Sequence, residues 1–204
     1  MRAPLLAASV LSLPIAAGAV SETTDPEGDV IFLYPFLPDA CDDPAIDLTR
    51  ARVSSDGETL EVLIGVRDAG ARPSCGPLQL RHRELVRTFE AVSDANIDLR
   101  FGSGLSPFGA WACGSFGISE GGSWWASQCL GETFASGDTV IWRVPTHGLA
   151  PTYGTRVFEY DLRGKTLWPA VSARSQGALE AGPSFPFQPV HFYDEMVGIP
   201  PFTI

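Results

Sequence analysis

The chain has 204 residues, 45% of them hydrophobic and 19% charged, with 24 acidic against 14 basic side chains and a formal net charge of -10. Lys165 is its one lysine and the thirteen arginines are scattered, so the surface repels polyphosphate and anionic lipid and argues against nucleic-acid or membrane-surface partners.

At the N-terminus, Arg2 precedes an apolar run from Leu5 to Ala16, and Ala17-Gly18-Ala19 supplies a small-x-small cleavage site. This pattern predicts a secretory signal peptide over residues 1–19, with the mature chain starting near Val20. The apolar run is too short to span a bilayer, and no later segment offers about 18 uninterrupted apolar residues, so no membrane insertion is expected. Residues 20–204 form a single-domain length, roughly 185 residues, that can bury a substantial core. The expected destination is secretion, periplasmic or extracellular.

Four cysteines in an exported chain are expected to pair. Cys41 and Cys75 lie almost equidistant from Ser55-Asp56-Gly57-Glu58, and Cys113 and Cys129 flank Gly121-Gly122 in the same way, so hairpin symmetry pairs Cys41 with Cys75 and Cys113 with Cys129. None of them shows the C-x₂₋₄-C spacing of structural zinc.

Short alternating apolar runs follow one another between Gly, Pro, Asp and Ser clusters, with no long 3.6-residue period, which predicts an all-β chain. The clearest unit is a hairpin over Ile46–Asp68, where Leu60, Val62, Ile64 and Val66 share one face and Asp56-Gly57 supplies the turn. Further strands are predicted at Val30–Tyr34, Leu85–Val92, Ile97–Phe101, Ala110–Ile118, Ser123–Cys129, Thr139–Val144 and Thr155–Leu162. The stretch from Leu80 to Val92 also fits helical spacing, but Ser93-Asp94-Ala95-Asn96 would close it as a hairpin onto Ile97–Phe101. Eight or so strands joined mostly as hairpins imply an antiparallel two-sheet β-sandwich of jelly-roll type, stapled by two disulfides. The Pro- and aromatic-rich tail, 177–204, is expected to run across that body or to add an edge strand.

The order Asp25-Pro26-Glu27-Gly28-Asp29, then Asp47-Leu48-Thr49, then Ser55-Asp56-Gly57-Glu58-Thr59-Leu60, resembles the start of secreted domains of the DOMON and family-nine carbohydrate-binding-module type. Val140-Ile141-Trp142-Arg143-Val144-Pro145 and Arg156-Val157-Phe158-Glu159-Tyr160 are similar to their C-terminal half. The resemblance implies a jelly-roll sandwich and a non-catalytic module for sugars or, in some branches, haem. The two disulfide frames are not part of that pattern.

Four constellations carry chemistry. Asp25, Glu27, Asp29, Asp39, Asp42, Asp43 and Asp47 fall within 23 residues, and hard oxygen donors of this kind suit a structural calcium ion held by Asp25, Glu27, Asp29 and Asp47; the same residues also serve as Asx turn caps. Among the aromatics, adjacent Trp124 and Trp125 cannot both face inward from one strand, which predicts either a covered edge or a platform for a carbohydrate or similar extracellular ligand, with Gln128, Asp138 and Arg143 as polar partners. Gly117-Ile118-Ser119-Glu120-Gly121 formally matches the G-x-S-x-G elbow of serine hydrolases, with Asp161 and His191 in chain order behind it, but Gly121-Gly122-Ser123-Trp124 cannot start the helix an elbow needs. His82, His147 and His191 lack metal-ligand spacing, and haem would require one of them with a donor such as Met196. The expected function is therefore a secreted non-catalytic binding module with no catalytic residue and no cofactor beyond calcium. A structural or cell-surface interaction domain is the alternative, and a hydrolase using Ser119 the remote one.

Overall fold

A computed structural model describes residues 19–32, 41–94, 97–120, 123–126, 129–152, 156–179 and 190–204; the side chains of 118–120, 123–126 and 179 lie outside that description. Residues 1–18, where the signal peptide is expected, are also outside it. The described chain is all β: no helix occurs in it, so none is long and apolar enough to cross a membrane.

Its strands, in chain order, are β1 (Ala19–Thr24), β2 (Ile31–Phe32), β3 (Cys41–Asp42), β4 (Leu48–Ser55), β5 (Thr59–Val66), β6 (Ser74–Cys75), β7 (Leu78–Ser93), β8 (Ile97–Ser106) and β9 (Gly109–Glu120). They continue with β10 (Ser123–Ala126), β11 (Glu132–Ser136), β12 (Thr139–Pro145), β13 (His147–Pro151), β14 (Val157–Asp161), β15 (Thr166–Leu179), β16 (Val190–Met196) and β17 (Phe202–Thr203). All described pairings are antiparallel. One sheet runs β1-β4-β5-β12-β11 and a longer one runs β10-β9-β8-β7-β15-β16-β2, while β13 and β14 form a separate ribbon.

The β4–β5 hairpin forms where its alternation places it, turning at Gly57 with φ 92° while the Asp56 carboxylate accepts from the Glu58 and Thr59 amides. Leu60, Val62 and Ile64 are fully buried. The ambiguous Leu80–Val92 stretch is strand, the middle of the sixteen-residue β7. It is held there by β15 on one side and, over Leu85–Val92, by β8 on the other, so long-range ladders decide between two conformations that the local pattern allows.

Strand β15 is absent from the sequence expectation because Pro169, Gly177 and its small polar residues depress β propensity. Pro169 is tolerated because it falls between the residues paired to β17 and those paired to β16, so the strand is paired there on the β7 side alone. The tail beyond the undescribed 180–189 supplies β16 and β17, and β16 lies between β15 and β2 rather than at an edge.

Both expected disulfides are formed, and no described cysteine is free. Cys113–Cys129 closes the open end of the β9–β10 hairpin. Cys41–Cys75 joins β3 to β6, a short ladder separate from the β4–β5 pairing, which ends at Leu48 and Val66. Two disulfides fit an oxidising compartment.

Trp142 is the centre of the core. It is fully buried on β12, stacked at 5.7 Å on Phe101 of β8 and edge-on to Phe116 of β9, and its Nε1 donates to Leu130 O at 2.7 Å. Gly114 makes room for it, since a Cβ there would lie inside the indole ring.

Candidate functional site

β1 belongs to the five-stranded sheet and β2 to the longer one, so the chain from Asp25 to Val30 crosses between sheets. At this crossing Asp25, Asp29 and Asp194 each place a carboxylate oxygen within 4.8 Å of the others. Asp194 comes from β16, where it occupies an inward position between buried Phe192 and Met196. One of its oxygens accepts from Leu48 N on β4 at 2.6 Å and the other from Glu195 N at 2.8 Å, so the carboxylate itself stitches the two sheets.

Asp47 stands beside this group and is fully buried. Its Oδ2 accepts from Gly28 N at 2.8 Å and faces Arg67 Nε at 3.1 Å, while Arg67 also pairs with Asp42. Its Oδ1 is buried with no hydrogen-bond partner, and so is Asp25 Oδ2. Orphaned buried carboxylate oxygens are costly in a folded protein.

Electrostatics point the same way. Burial pushes the Asp194 carboxyl up to about 6, assisted by the charges of Asp29 and Asp25 and opposed by its two backbone hydrogen bonds. Burial also raises Asp25, helped by Asp29 and Asp47. Asp47 is raised by burial against the pull of the Gly28 amide and Arg67. A pocket of like charges with one cation beside it is the environment that a divalent cation relieves, and its oxygen-only donors suit a hard ion. Of the four ligands expected from sequence, Asp25 and Asp29 join Asp194, Asp47 is their neighbour, and exposed Glu27 acts on Arg67 instead. Asp194 was legible only as a charged residue in the apolar phase of the Val190–Met196 alternation.

The expected ligand platform is described in part. Trp124 and Trp125 lie on β10, the edge strand of the longer sheet, where their backbones pair with Ser119 and Ile118 of β9; their side chains and Gln128 lie outside the described residues. Asp138 sits in the β11–β12 turn, where its carboxylate accepts from Ala69 N at 2.8 Å and its carbonyl from Val66 N at 2.9 Å. Arg143 is at the far end of β12, about 17 Å along the strand from Asp138. Its Nε donates to Glu61 at 2.6 Å, and its guanidinium lies 5.3 Å from the centre of the exposed Phe134 ring. It separates two shallow depressions, one of about 590 Å³ bordered by Glu132, His147 and Tyr160, the other of about 530 Å³ bordered by Arg52 and Asp56.

Around the remaining candidates, Ser119 is followed by strand β10 and not by the helix of an elbow. Asp161 is engaged by both Nε and Nη2 of Arg163, at 2.9 and 2.8 Å. His191 and Met196 project to opposite faces of β16, exposed and buried respectively, and so cannot bracket one cofactor. His82 faces buried Asp43 at 3.0 Å, and His147 lies 3.9 Å from Glu58.

No protein-family model matches the chain, and neither a curated protein nor a solved structure is significantly similar to it.

Proposed function

We propose that this chain is a secreted, non-catalytic binding module of jelly-roll β-sandwich build, stiffened by calcium and directed at carbohydrate in the extracellular or periplasmic space. The observation that carries the binding reading is the surface around Arg143: a guanidinium fixed by Glu61 and lying over an exposed aromatic ring, between two shallow depressions. The part of the Phe134 ring that Arg143 leaves open suits the C–H side of a sugar, and a held guanidinium and carboxylate suit its hydroxyls. The Trp124–Trp125 edge, with Gln128, is the second element of the proposed surface, and Asp138 serves the turn. The resemblance to DOMON and family-nine modules agrees with this reading, as does the meeting of the two sheets through Trp142, Phe101 and Phe116.

Calcium belongs to the proposal because the three-carboxylate crossing leaves Asp25 Oδ2 and Asp47 Oδ1 without donors, and calcium accepts six to eight oxygens in flexible geometry. A structural or cell-surface interaction domain without small-molecule ligand is the second reading, favoured by full burial of Trp142, which serves the core and not a ligand.

Affinity electrophoresis of the intact protein through gels containing soluble polysaccharides decides between them. Retardation by at least one glycan is expected, weakened about tenfold in Arg143→Ala and in Trp124→Ala or Trp125→Ala. No retardation by any glycan, or retardation unchanged in all three variants, leaves the structural reading.

A further inference from the structure

Register brings Arg87 of β7 directly opposite Ser103 of β8, and Ser103 directly opposite Ala112 of β9. Two residues along, Leu85, Leu105 and Ala110 form the next row on the same face. One row in the other direction lie Phe89, Phe101 and Gly114, where Trp142 fills the space. Beyond Trp142 the opposing wall becomes small. Val140 of β12 and Thr133, Phe134 and Ala135 of β11 line it, and β11 is exposed at all five positions, including Thr133 and Ala135 on the same side as Trp142. The result is a cleft of about 470 Å³ between the sheets, within the range of small-molecule sites.

The cleft has a polar end and an apolar end. Ser103 is 4% exposed and its Oγ is buried with no hydrogen-bond partner, an arrangement that native interiors avoid unless something else supplies the partner. Arg87 is 7% exposed, and its Nε and Nη2 both donate to one neutral acceptor, Ala45 O, at 2.9 and 2.7 Å. The acids facing it are Asp43 and Asp138. Asp43 is occupied by His82, Ser175 and the Ala45 amide, and Asp138 by the Ala69 amide. Burial pulls the guanidinium below its ordinary value, as expected where no carboxylate pairs with it directly. At the mouth, Leu85 and half-exposed Leu105 lie about 7 Å further along the strands.

We infer that this inter-sheet cleft is a binding site for a small monocarboxylate with an apolar body, its carboxylate inserted between Arg87 and Ser103 and its body lying along Leu85, Leu105 and Val140. The head accepts from the guanidinium and from the serine hydroxyl, giving Ser103 Oγ the partner that the protein withholds. A neutral alcohol of the same shape fills the apolar end but leaves the cation uncompensated, so charge discriminates between the two. Small side chains at Ala110, Ala112 and Ala135 set the width, and a larger residue at any of them closes the cleft. The site shares Phe134 with the surface around Arg143 and is otherwise built from different residues.

Isothermal titration of the intact protein at neutral pH with octanoate, and separately with 1-octanol, tests the assignment. Saturable binding of octanoate is expected, with 1-octanol at least tenfold weaker, because a hydrogen-bonded charge pair is worth about that factor or more. Ser103→Ala should weaken octanoate about five- to tenfold with little change for 1-octanol. Ala112→Leu, which fills the cleft, should abolish both while circular dichroism stays that of the parent. Absence of octanoate binding, equal affinity for the two probes, or undiminished binding in a folded Ala112→Leu protein would each overturn the inference.

Discussion

Removing divalent cations should make this protein less stable as the pH rises from 4 to 7, the reverse of the usual behaviour of carboxylates. Asp194 carries the effect, since its carboxyl is moved from an ordinary 3.8 to about 6 by burial. The folded state therefore holds a proton that the unfolded chain has released, and stability falls through that interval. At about 1.4 kcal/mol per pH unit the loss is roughly 3 kcal/mol by pH 7, with Asp25 and Asp47, also raised, adding in the same direction. Asp56 and Asp161 are lowered, by backbone amides and by Arg163 respectively. Their contributions are lost only as the pH falls below the ordinary carboxylate range, outside this window. Calcium at about a hundred times its dissociation constant should restore about 2.7 kcal/mol at pH 7, equivalent to about 5–10 °C in Tm for a chain of this size. The assay is urea denaturation at pH 4, 5, 6 and 7 in EDTA and in calcium chloride, with Asp194→Asn alongside; the variant should lose most of the pH slope, keeping the part that Asp25 and Asp47 contribute, together with the calcium increment. A midpoint in EDTA that rises steadily from pH 4 to 7, or a pH 7 midpoint indifferent to calcium, would refute the reasoning.

Two further outcomes follow from the packing. Replacing Cys113 and Cys129 together by Ala should lower stability by about 3 kcal/mol, and the Cys41–Cys75 pair by about 4, because they close loops of 16 and 34 residues; denaturant midpoints of the two double variants measure the order. Gly114→Ala should destabilise by more than about 3 kcal/mol or prevent folding, since its methyl group would occupy the Trp142 ring, whereas Gly57→Ala meets open space and pays only for its positive φ; thermal melts of the two variants compare them directly.

The parts of the fold that local patterning encodes were readable. Period-two alternation in Leu60–Val66 and the Asp56-Gly57 turn specify a hairpin whatever the rest of the chain does, and hairpin symmetry was enough to pair the cysteines. Strand β15 was unreadable for the converse reason: its small residues, Pro169 and Gly177 have little strand preference of their own, and only ladders to β7 and β16 hold them extended. The same division runs through the sites. A run of aspartates marked the acidic crossing, but Asp194 lies 165 residues from Asp29 in sequence and joins it only because β16 passes the β1–β2 crossing. The Arg87–Ser103 pair was invisible beforehand, since a buried arginine looks like any other until register places a partnerless hydroxyl across from it.

By itself, then, the sequence determined an all-β chain, its clearest hairpin, its two covalent links and the acidic character of one crossing, all properties that neighbouring residues and turn chemistry settle locally. Tertiary structure alone decided which strands lie side by side, which carboxylates face one another and where two sheets leave a gap, because those depend on long-range register and on how much volume opposing side chains fill.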